Sequence, residues 1–110
     1  MIIMVFLHKK FAAGSWFKLS LAEQLGNIGS EVSRAIKWQG RDDKLFFSAI
    51  DRALELFDLT LSDLRLRGRL REIARAREVF CDAVYGGTEY KSNLKDIDRY
   101  FLRFAIYARR

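Results

Sequence analysis

The sequence predicts an all-α protein: an antiparallel, up-down four-helix bundle with a short apolar N-terminal extension. Three observations carry this. There is no proline among the 110 residues, which suits long uninterrupted helices better than a turn-rich sandwich. From Trp16 onward the apolar residues recur at helical rather than alternating spacing. The breaks between these stretches are short and hold glycine or capping residues. Half of the residues are hydrophobic and 14% are aromatic. That is enough apolar surface for a core in one domain, and too much for a disordered chain.

The extension, residues 1–14, begins "MIIMVFL". It is too short to span a bilayer and lacks the leading positive charge of a signal peptide. Three readings stay open: a strand or helix docked on the bundle, an oligomerisation tail, or a stretch preceding the natural start. The bundle domain is expected to cover residues 15–110.

The first helix is expected at 15–38, capped by Ser15. Phe17, Leu21, Leu25, Ile28, Val32 and Ala35 form its apolar stripe. Ala22, Gly26, Gly29 and Ser33 form a strip of small residues beside it. Glycine costs about 1 kcal/mol in a helix interior relative to alanine. Gly26 and Gly29 therefore point to a close neighbouring helix, in this chain or in a second copy.

"WQGRDDK" turns the chain. Gly40 suits a left-handed C-terminal cap, and Asp42 and Asp43 suit the positive end of the next helix. That helix is expected at 42–60, with Phe46, Ala49, Ile50, Ala53, Leu54, Phe57 and Leu61 inward. Its outer face, Ser48, Asp51, Arg52, Glu55 and Asp58, leans acidic. A third helix is expected at 67–85, after a break at "LSDLRLRG", with Leu70, Ile73, Ala74, Phe80, Cys81 and Val84 inward. "YGG", from Tyr85, is a stop signal. A fourth is expected at 93–109, capped by Ser92 or Asn93, with Leu94, Ile97, Phe101, Phe104, Ala105 and Ala108 inward.

Charge is unevenly spread. Residues 1–63 carry eight basic and eight acidic side chains, and residues 64–110 carry twelve and six, so the whole net charge of +6 arises in the second half. Six arginines lie between Leu64 and Phe80. Arg65, Arg67 and Arg69 sit at or before a helix start, where they oppose the helix dipole unless an anion lies nearby. Arg71 and Arg75 face outward. Arg99, Arg103, Tyr107 and Arg110 form an outer row on the fourth helix, with Tyr100 beside it. If the third and fourth helices are neighbours, these rows merge into a basic face. Arg71, Arg75, Lys95, Arg99 and Arg103 would contact phosphates, with Tyr100 and Tyr107 stacking on bases. RNA or DNA is thus an expected partner. An acidic protein could meet the same face. The alternative function is a protein-interaction module that binds no nucleic acid, an antitoxin-like or adaptor partner using the apolar N-terminus and the glycine strip. Self-association is expected of so small a domain.

Arg77 stands apart, within an apolar stripe. It must pair with a buried carboxylate, for which Glu31 is the candidate, or enter an interface.

No enzyme is expected. His8 and Cys81 supply neither a metal cluster nor a nucleophile–base pair, and "YGGTEY" lacks the lysine of a phosphate-binding loop. No metal or cofactor site is indicated. A lone cysteine points to a reducing cytoplasm. Tryptophan and lysine are not gathered on one exposed helix, so no membrane partner is expected. No motif supports residue-by-residue transfer from a family. In size, helix count and charge the chain resembles small bacterial four-helix bundles. These include the accessory proteins of diversity-generating retroelements and the helical members of toxin–antitoxin pairs. The resemblance implies an oligomeric accessory protein working beside RNA, or an antitoxin-like partner.

Overall fold

The computed structural model describes residues 14–86 and 93–108. Among them the protein is all-α. Four α-helices, α1 (Leu21–Trp38), α2 (Asp43–Leu61), α3 (Leu70–Val84) and α4 (Leu94–Ala108), are joined to two 3-10 turns, Ser15–Lys18 and Leu64–Arg69. All but Gly14 of the apolar extension lies outside the described residues.

The first helix begins later than Ser15. The chain makes a 3-10 turn, passes through extended Leu19, and starts α1 after Ser20. Ser20 Oγ accepts from the Glu23 amide at 3.1 Å, and Glu23 Oε1 accepts from the Ser20 amide at 3.0 Å. This reciprocal box satisfies two orphan donors and fixes the start there. The 3-10 turn instead drives Trp16 into the core, where it is fully buried.

Asp42 caps α2, its Oδ1 accepting from the Leu45 amide at 3.0 Å. Gly40 takes the left-handed conformation, φ +74°, that the turn before α2 needs. The expected third helix is divided. Asp63 caps the Leu64–Arg69 turn, and regular α-helix begins only at Leu70. Gly86, at φ +72°, follows the end of α3. Asn93 Oδ1 accepts from the Asp96 amide at 3.1 Å and caps α4.

Contact pairs run in opposite senses, as an antiparallel order requires. Gly29 meets Phe101 while Ser33 donates to Asp98, so ascending α1 descends α4. Phe57 meets Phe80 while Asp58 meets Arg77, so ascending α2 descends α3. Phe57 sits at the centre, its ring 5.7 Å from those of both Phe80 and Phe101. Ile28, Val32, Ile50, Ala53 and Leu56 complete the buried core around it.

The small-residue strip of α1 has its partner within the chain. A Cβ on Gly29 would lie 2.7 Å from Phe101 Cβ, so glycine lets α4 lie directly on α1. Gly26, one turn earlier, is also buried. In contrast, α3 contributes only Ile73 and Phe80 to the fully buried set. Ala74 and Cys81, expected inward, are half-buried, as are Ala76 and Val79 on the α4 side. The helix is rotated so that its scarce apolar residues serve two neighbours.

Candidate polyanion interface and the groove between α3 and α4

The arginines of the Leu64–Phe80 stretch divide by partner. Arg65 is structural. Its Nε donates to Asp63 Oδ1 at 3.0 Å, and its Nη2 donates to Asp63 Oδ2 at 2.6 Å and to the Leu19 carbonyl at 2.8 Å. Asp63 is 3% exposed and also accepts from Gln24 Nε2 at 3.0 Å. Gln24 Nε2 donates in turn to the Trp16 carbonyl at 3.1 Å, and Trp16 Nε1 donates to Thr60 Oγ1 at 3.1 Å. The network ties the first 3-10 turn to the α2–α3 junction. Arg65, foremost, and then Gln24 hold the Asp63 carboxyl down at about 2, against the desolvation that would raise it.

Arg77 does not pair with Glu31. Its Nε donates to Asp58 Oδ1 at 3.1 Å, while Glu31 takes Arg34, one turn along α1, at 3.1 Å. Arg77 keeps 34% of its side chain exposed. It lies at the edge of α3 facing α2, and its long stem carries the charge out to the surface. Residues 31 and 77 lie on elements with other near neighbours, and each charge is met by the closer partner.

Arg67, Arg69 and Arg71 are exposed, on the 3-10 turn and the first turn of α3. Among the described residues none of the three has an ion-pair partner. They surround the junction where the 3-10 turn, capped at its own start by Asp63, runs directly into α3. Ser20, Asp42 and Asn93 cap α1, α2 and α4 with side-chain oxygens, whereas Arg69 stands at the α3 cap position and provides no such bond. Positive side chains and the positive helix end thus reinforce one another.

Arg75, Lys95 and Arg99 are also exposed, with Arg75 one turn from Arg71 on the same helix. An open groove of about 330 Å³ separates α3 from α4. Ala76, Val79, Ile97 and Phe101 form its apolar floor, and Glu72, Arg75, Asp96 and Tyr100 its walls. Tyr100 is a wall residue as well as a surface one. Its hydroxyl donates to Glu72 Oε1 at 3.1 Å, and its ring meets Phe101 edge-on at 5.2 Å. The side chains of Arg103 and Tyr107, and all of Arg110, lie outside the described residues.

Sequence spacing alone did not single out the groove. Ala76 and Val79 fall off the third helix's apolar stripe, and Glu72 and Asp96 are ordinary charges on outer helix turns. The signal that marks them is the shortage of large apolar residues on α3, which leaves it loosely seated on α4.

The chain matches no family model, no curated protein and no solved structure. Among the described residues no helix is long and apolar enough to cross a membrane, and no cluster of three or more metal-ligating side chains forms.

Proposed function

We propose that this protein is a small non-enzymatic helical scaffold that holds a nucleic acid strand, RNA or DNA, at the start of α3. Arg67, Arg69 and Arg71 supply the central phosphate contacts, and Arg75, Lys95 and Arg99 extend the field on either side of the groove. The single observation that carries this reading is the cluster of exposed Arg67, Arg69 and Arg71, without an ion-pair partner among the described residues, where the 3-10 turn runs into α3. In the free protein that placement is electrostatically unfavourable, and a phosphate at the helix end reverses its sign. Guanidinium groups suit this role because each offers a rigid fork of donors to phosphate oxygens.

The contacts are to the backbone of the strand, so affinity depends on charge rather than base sequence. Lone Cys81 fits a reducing cytoplasmic setting. The test is binding of a labelled single-stranded oligonucleotide as salt is raised. Affinity that falls steeply supports the reading, and failure to bind at low salt overturns it. A second reading, a protein-interaction module, is favoured by the apolar groove, which phosphodiester chemistry does not explain.

A further inference from the structure

The α3–α4 groove offers an apolar hollow flanked by charge, and the outer face of α2 offers an exposed ring flanked by charge. Phe47 on α2 is 46% exposed, an aromatic ring left in water beside the exposed Leu45. Lys44 and Asp51, also exposed, flank it at i−3 and i+4, so all three share one face of the helix. That face reads cation, ring, carboxylate over seven residues, or about 10.5 Å of helix rise. The groove wall on α3 runs from Glu72 to Val79, the same seven-residue length. At the α4 start it presents Asp96, in the middle its apolar floor, and toward the α3 start the exposed Arg71 beyond the wall. Glu72 is already held by Tyr100. Among the described residues the Asp96 carboxylate, Lys44, Asp51 and Arg71 have no ion-pair partner.

We propose that the groove receives α2 of a second copy of this chain. Phe47 enters between Ala76, Val79, Ile97 and Phe101. Lys44 meets Asp96, and Asp51 meets Arg71, with the incoming α2 antiparallel to α3. The two surfaces are different patches of the same molecule, so the contact is head-to-tail. It extends into a ring or a filament rather than closing as a two-fold dimer. A buried aromatic anchor with a polar rim is the arrangement that concentrates binding energy in an interface. This inference does not rest on nucleic-acid binding and is tested without nucleic acid.

The experiment is sedimentation velocity of the full chain over a wide concentration range, with helix content checked by circular dichroism. The wild type is expected to assemble as concentration rises. Phe47→Ser, which removes the knob, and Ala76→Arg, which fills the groove, are each expected to weaken assembly at least tenfold. Mixed together they are expected to form a one-to-one dimer that grows no further, because one intact knob and one intact groove remain. Lys44→Asp and Asp96→Lys are each expected to weaken assembly, and the two changes combined in one chain to restore it. These exposed sites keep the test decisive if Ala76→Arg does not fold. A wild type that stays monomeric, assembly untouched by Phe47→Ser, or a double charge swap without recovery overturns the proposal.

Discussion

Arg65 forks the buried carboxylate of Asp63, with Nε at 3.0 Å from Oδ1 and Nη2 at 2.6 Å from Oδ2. One arginine of the basic stretch is therefore a brace between the Leu64–Arg69 turn and the first 3-10 turn, whose Leu19 carbonyl it also binds. The carboxyl is depressed from 3.8 to about 2 in the folded chain. A depressed carboxyl stabilises the fold above its unfolded value and ceases to do so as pH falls through its folded value. Unfolding measured by denaturant is expected to show a loss of about 1–2 kcal/mol between pH 4 and pH 2, with half-exposed Arg65 limiting the size. Asp63→Asn is expected to remove most of that pH dependence. An unchanged profile in the variant would assign the acid sensitivity elsewhere.

Gly29→Ala is expected to destabilise by about 1–3 kcal/mol, because overpacking outweighs the gain in helix propensity. The added Cβ would sit 2.7 Å from Phe101 Cβ, and neither helix can yield without moving the other. Gly68→Ala is the matched control. Nothing lies within 4 Å of a Cβ there, so its midpoint should stay near that of the wild type. Equal midpoints for the two variants would remove the close α1–α4 approach.

Thr60→Val should cost about 1–3 kcal/mol while preserving shape. It leaves the buried Trp16 indole N–H without the acceptor it now has at 3.1 Å. Tryptophan fluorescence during unfolding reports on this site. Wild-type stability in the variant would mean that the indole finds another partner.

Arg99→Glu with Arg103→Glu is expected to weaken oligonucleotide binding while the circular dichroism spectrum stays helical. Binding unchanged by the reversal would confine the phosphate contacts to the α3 start.

The four-helix pattern was legible because apolar spacing and glycine stops survive without knowledge of partners. Gly29 was legible for the same reason, as a glycine where the helix prefers another residue. The start of α1 lies past Ser15 because "SLAE" at 20–23 spells the capping box that decides it, although Phe17 continues the apolar stripe. The rotation of α3 was not legible. With few large apolar residues, its orientation is set by what α2 and α4 leave open, so Arg77 reached Asp58 rather than Glu31. Arg65 could be separated from Arg67, Arg69 and Arg71 only once Asp63 was seen buried beside it. The groove required three-dimensional neighbours, since its walls come from two different helices.

The most direct measurement is the slope of log affinity against log salt for a labelled single strand, in the wild type and in a variant with Arg67, Arg69 and Arg71 all changed to glutamine. Each phosphate contact on a single strand contributes about 0.7 to the slope, so the variant should lose about 2. A variant slope equal to that of the wild type, or a wild type that does not bind at low salt, would contradict the placement of a nucleic acid at the start of α3.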